Sequence, residues 1–220
     1  MKALLSCLVL LGLPALLPAQ NGPFPFGEVS PKALYMKHYD KDSSANAVVL
    51  KEFGRTYIDN HEENSLIHYY HIRIKILNEK GVDQANFSIP LYKNARGKEI
   101  LSDVKGSTFN PGEETARIRL KDIYTENKTR YMDVAKFTLP NAKAGSVIEV
   151  EYQLSSPFVY NFRQWDFQSD IPKVYSEYWA KIPANLEYHI SLIGYCELPT
   201  HARGDGLGFG FHRVCFVTKV

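Results

Sequence analysis

Cys196, His201 and Asp205 are this chain's nearest approach to a nucleophile, a base and an orienting carboxylate, the set that acyl transfer through a thiolate requires. They fall in a late, Gly-rich segment with no helix start to lower the thiol pKa. That context reads as a loop with incidental polar residues, and no catalytic residue is assigned. His68 and His71 lie three apart on a strand pattern, which puts them on opposite faces and prevents them from sharing a metal. His61, Glu62 and Glu63 read as a solvated turn, and His189 and His212 as single histidines on strand faces. No metal and no cofactor are expected. Arg203-Gly204-Asp205 matches a tripeptide bound by some adhesion receptors, but three residues recur by chance and Gly-rich turns favour them.

Binding is better represented than reaction. Tyr160, Phe162, Trp165 and Phe167 are interleaved with Asn161, Arg163, Gln164 and Asp166. Flat rings with polar neighbours suit a sugar- or peptide-binding face. Large rings near period two more often face a core or dock on a neighbouring domain, so the four are assigned as a partner contact. Cys196 and Cys215 have two readings. A bridge between them would stabilise the fold by ~3 kcal/mol on the chain-entropy estimate, and two buried free thiols are the alternative.

The elements that must position these residues read as strands. Ser65 to Leu77 alternates Leu66, His68, Tyr70, Ile72, Ile74 and Ile76 with Tyr69, His71, Arg73 and Lys75, which predicts one buried and one wet face. Asn78-Glu79-Lys80-Gly81 predicts a turn with Gly at positive φ, and Ala85 to Leu91 its partner strand. Ile100 to Phe109, broken by Gly106, Ala116 to Leu120, Ala135 to Leu139, Ile148 to Leu154, Tyr178 to Ile182 and Tyr188 to Leu192 continue the series. Turn signals between them, such as Asn110-Pro111-Gly112, recur about every ten residues. Ser30-Pro31 predicts a helix start, with a short helix over Lys32 to Tyr39. The expected class is all-β: an antiparallel β-sandwich of about ten strands with a short N-terminal helix.

Lys2 followed by the apolar run Ala3 to Leu17 and then Pro18-Ala19-Gln20 has the layout of a secretory signal cut after Ala19. Export to the periplasm or cell surface is expected, with no membrane span after signal removal, since the run is short for one. The full sequence has ordinary globular composition, 45% apolar and 23% charged, with a net charge of +2 that leaves no electrostatic footprint for nucleic acid. Fourteen Tyr and twelve Phe lean the chain toward strand. The organisation expected is a signal over 1–19, an extension with the short helix over 20–45, a sandwich over 46–195 and a truncated linker or strand over 196–220.

Several segments together resemble a known family. They are Asp42 to Leu50, Ile76 to Gly81, Phe137 to Pro140, Gly145 to Glu149, Trp165 to Gln168, Ile171-Pro172, Ser176 to Tyr178 and Ile182-Pro183. Over roughly residues 40 to 195 the chain resembles domain of unknown function 3857, a module of exported proteins from Bacteroidetes-type bacteria. The resemblance implies a β-sandwich that precedes a transglutaminase-like core carrying a Cys, His and Asp triad. The sequence stops at Val220, about where a linker to that core would begin, so no triad residue is carried over. The expected function is a non-catalytic interaction or scaffold domain, partnered by a transglutaminase-like catalytic domain or another envelope protein. The alternative is a free-standing carbohydrate- or peptide-binding module.

Overall fold

The computed structural model describes residues 22–59, 65–183, 186, 188, 189, 191 and 193, together with the backbone of 200–205 and 211–219. Among the described residues twelve strands form two sheets: β1 (Ala47–Asp59), β2 (Ser65–Ile76), β3 (Asn86–Asn94), β4 (Gly97–Lys98), β5 (Ile100–Phe109), β6 (Ala116–Arg117), β7 (Tyr124–Thr129), β8 (Met132–Thr138), β9 (Val147–Ser156), β10 (Tyr175–Pro183), β11 (Thr200–Asp205) and β12 (Phe211–Lys219). The large sheet runs β11-β12-β10-β1-β2-β9-β5-β6 and the small one β4-β3-β8-β7. All pairings are antiparallel except β1 with β10, which run parallel. The all-β sandwich is as expected, and the sheet continues past residue 195 into β12 and β11.

The core lies between the sheets. Val49, Ile72, Ile74, Ile76, Ile148, Val150 and Leu154 of the large sheet face Ile89, Leu91, Ala135, Phe137 and Leu139 from the small one. Several local expectations need correction. Residues 79–85 form a 3-10 helix, and β3 joins the small sheet through β8, so it is not the hairpin partner of β2. Gly81 serves close approach and not a positive φ: a Cβ there would sit 2.2 Å from the Asn46 carbonyl oxygen. β5 runs unbroken through Gly106, where a Cβ would meet Leu139 at 2.5 Å; its irregularity falls between Ser102 and Lys105, with Asp103 at φ 53°. Ala116 to Leu120 yields only the two-residue β6, followed by a 3-10 turn at Leu120–Asp122. Tyr188 and His189 lie outside any strand.

The helix is shorter than expected. It spans Pro31–Leu34, with Ser30 Oγ accepting from the Ala33 N–H at 3.3 Å and Pro31 in the first turn, as the cap signal implied. It buries no side chain, so no apolar face of its own supports a longer helix.

The outer face of the large sheet also departs from expectation. His71, Arg73 and Lys75 of β2 and Glu149 and Glu151 of β9 alternate with the core residues, yet none is more than 6% exposed. Residues 24–34 lie across them. Phe24 packs on the His71 ring at 4.1 Å between centroids, and the Gly27 N–H donates to Glu149 Oε2 at 2.9 Å. Arg73 donates to the Pro25 carbonyl at 2.9 Å and to Glu149 Oε1 at 2.6 Å, and His71 Nε2 lies 2.7 Å from the same oxygen. Burial raises the Glu149 pKa, but the His71 and Arg73 contacts outweigh it and hold the carboxyl below its ordinary value. Lys75 donates to the Leu34 and Gly145 carbonyls, each at 2.6 Å, and burial lowers its pKa to about 8.

Candidate functional site

On the inner face the small sheet covers only part of the large one. Between its edge and the irregular segment 157–174 lies a cleft of about 870 Å³. The cleft has a strand floor, with Tyr70 and His68 from β2, Glu52 from β1 and Tyr152 from β9; its walls are β3 on one side and Asn161 to Lys173 on the other.

Glu52 owes its inward position to an irregularity in β1. The register with β2 shifts between Val49 and Lys51, so Glu52 pairs with Ile72 and comes onto the core side. Three donors hold its carboxylate: Lys173 Nζ at 2.8 Å, Ser176 Oγ at 2.7 Å and Tyr70 Oη at 2.9 Å. Lys173 also donates to the Asp166 carbonyl at 2.5 Å, which ties the irregular segment to the floor. Burial and the neighbouring Glu52 push the Tyr70 hydroxyl pKa well above its ordinary value. His68 is fully enclosed: burial, then the positive charge of Arg163, lower its pKa to about 3, and its Nδ1 meets Thr56 Oγ1 at 2.7 Å. At the other end Arg163 donates to the Pro90 carbonyl at 2.7 Å and pairs with Glu99, whose carboxylate accepts from the Tyr92 N–H at 2.8 Å.

The four aromatic residues singled out by sequence divide. Trp165 stacks on Tyr178 at 5.1 Å and 22°, donates from Nε1 to Ser176 Oγ at 3.1 Å, and lies over Gly54, where a Cβ would come within 2.3 Å of its ring. Phe162 and Phe167 pack with it against Tyr178, Ala180 and Ile182. Tyr160 is 78% exposed. The segment is irregular, so these residues do not alternate as on a strand. His68 and His71 fall on opposite faces, His68 in the cleft and His71 under Phe24. Arg203-Gly204-Asp205, His201 and His212 lie on β11 and β12, of which only the backbone is described. Cys215 is on β12; Cys196, its proposed bridge, the 61–63 turn and the signal segment lie outside the described residues. Glu52, Lys173, Arg163 and Glu99 were not anticipated as a site. Glu52 in particular has no sequence signal, since its place depends on the shifted register.

Among the described residues no group of three or more His, Cys, Asp or Glu could hold a metal ion, and no helix is long and apolar enough to cross a membrane. Chemically, the cleft offers rings, amide groups and carboxylates, with its two cations already paired.

The model of the family described as "Domain of Unknown Function with solved-structure structure (DUF3857)" matches residues 62–207. Among solved structures, the chain is similar to a candidate protease from Parabacteroides distasonis ATCC 8503, with a TM-score of 0.56 and 8% identity over 79% of this chain and 35% of that one. A candidate nutrient-binding protein from Legionella pneumophila aligns at a TM-score of 0.43 and 6% identity, over 80% of this chain and 63% of that one. The first likeness shows a shared fold, and this chain spans about a third of the length of the protein concerned. No curated protein sequence matches.

Proposed function

The chain belongs to the DUF3857 family, and from that premise we propose that it is a non-catalytic interaction domain that docks or orients a transglutaminase-like catalytic partner. In this reading it is exported and works in the periplasm or at the surface of a Bacteroidetes-type cell. One observation carries the non-catalytic part. Glu52, the carboxylate at the floor of the cleft, is held by Lys173, Ser176 and Tyr70 together. Both of its oxygens are already occupied by these donors, so neither is left free to engage a reacting group of a substrate. Arg163 and Glu99 are committed to each other in the same way. These groups build a surface more readily than they turn over a substrate.

The purified chain incubated with peptides and with glutamine- and lysine-bearing proteins should neither cleave nor cross-link them. Amide hydrolysis that is lost in Cys196→Ala would overturn the reading.

The cleft itself favours the second reading, a carbohydrate- or peptide-binding module. Tyr70, Tyr92, Tyr152, Phe162 and Trp165 all line it. Binding of a small ligand, with Trp165 fluorescence shifted by it, would support that reading.

A further inference from the structure

We infer that the cleft takes an extended, cationic peptide, which pairs as an added strand with the free edge of β3. This rests on the binding reading above and names its ligand class.

The parity of β3 is set by its hydrogen bonds. Ala85 and Lys93 bond on the β8 side, through Leu139 N to the Ala85 carbonyl at 3.0 Å and Lys93 N to the Tyr131 carbonyl at 2.9 Å. Even residues point the other way. The Tyr92 carbonyl accepts from Glu99 N at 2.8 Å, the Tyr92 N–H donates to Glu99 Oε2 at 2.8 Å, and the Pro90 carbonyl accepts from Arg163 at 2.7 Å. Alternation along an antiparallel pair therefore turns the Ser88 N–H and C=O, and the Asn86 C=O, to the same free edge. No described residue bonds Ser88 there, and β4 pairs only with Lys93 and Asn94. Asn86, Phe87 and Pro90 of this edge line the cleft.

The strand is thus closed at one end and open at the other. Pro90 has no N–H to offer, and the Arg163–Glu99 pair occupies the groups from Pro90 to Tyr92, a form of edge protection. Among the described residues nothing of the kind protects Asn86 to Ser88, and Asn86 and Phe87 line a cavity of about 870 Å³ floored by Tyr70 and Tyr152. An exposed edge beside a cavity is the arrangement in which main-chain bonds supply affinity and alternate side chains find pockets.

Charge selects among peptides. The two cations lining the cleft, Arg163 and Lys173, are neutralised by Glu99 and Glu52. Asp166 and Asp170 also line it, and the Asp166 carboxylate accepts from the uncharged Gln164 amide at 2.6 Å. The rim is therefore net negative and suits Lys or Arg side chains on the incoming strand.

The test uses the full chain and the capped peptide acetyl-Thr-Val-Lys-Val-Lys-Val-amide. Binding should shift the Ser88 amide signal and slow its hydrogen exchange about tenfold or more. Ser88→Pro removes an N–H that takes no part in the ladder with β8, so it should keep the fold and weaken binding about tenfold or more. N-methylating alternate peptide residues should do the same to the unaltered chain, which keeps the test sound if Ser88→Pro fails to fold. Asp166→Asn with Asp170→Asn should weaken binding severalfold and reduce its salt dependence. Equal affinity in Ser88→Pro and for N-methylated peptide, or binding that leaves the Ser88 amide unmoved, would overturn the inference while leaving a binding cleft in place. Occupation of the cleft by a neutral oligosaccharide such as maltohexaose, but not by the peptide, would overturn it too. Occupation by neither would also remove the binding reading on which it rests.

Discussion

The two faces of the large sheet carry comparable sets of charged residues and treat them in opposite ways. Outside, His71, Arg73, Lys75, Glu149 and Glu151 are sealed by the chain's own residues 24–34. Inside, Glu52 and Lys173 form an equally buried pair, but the cleft next to them stays open. The difference lies in what covers each face. The outer charges Glu149, Arg73 and Lys75 are met by backbone groups of the extension, the Gly27 N–H and the Pro25 and Leu34 carbonyls. The inner face is roofed by a small sheet whose edge stops short of the irregular segment. A charged side chain on a strand therefore marks a partner, and the fold decides whether that partner is the same chain.

Glu149→Ala leaves Arg73 and His71 buried without their carboxylate and frees the Gly27 N–H, so it should cost about 3–5 kcal/mol of unfolding free energy in denaturant titration. A loss near zero would mean the outer network is not structural.

Next comes pH. His68 titrates at about 3 when folded against 6.5 in its unperturbed state. Between those values the unfolded chain binds the extra proton, so stability falls as pH drops from 6.5 toward 3, by on the order of a few kcal/mol. Glu149, depressed in the folded state, adds a loss of the same sign below 4.5. His68→Asn should flatten the upper part of that slope, as read from chemical denaturation at a series of pH values. An unchanged slope would show that His68 is not the enclosed neutral group described.

The smallest effect sharpens the inner face. Gly54→Ala places a methyl within 2.3 Å of the Trp165 ring, which forces the irregular segment to shift. It should cost about 1–3 kcal/mol and change Trp165 fluorescence, while leaving the outer face intact.

Much of the fold was legible because alternation and turn chemistry are local. β2, β8, β9 and β10 all follow from period-two runs, and the helix start from Ser30-Pro31. Pairing was not legible. Nothing in Ala85 to Leu91 says that it pairs with β8 and not β2, since both partners lie in similar apolar runs. The wet face assigned to Tyr69, His71, Arg73 and Lys75 failed for a related reason: alternation reports that two faces differ, and a distant segment around Phe24 determines whether the polar one meets water. In the cleft, Trp165 stood out by its type, whereas Glu52 depended on a register shift that leaves no mark in composition.

Amide hydrogen exchange on the free chain tests the contrast between the faces most directly, read at Gly27 and Ser88. The Gly27 N–H, bonded to Glu149 beneath the extension, should exchange only through large-scale unfolding, whereas the Ser88 N–H should exchange at nearly the rate of an unstructured chain. Fast exchange at Gly27 together with strong protection at Ser88 would reverse the assignment of closed and open faces, and with it the case for an inner binding cleft.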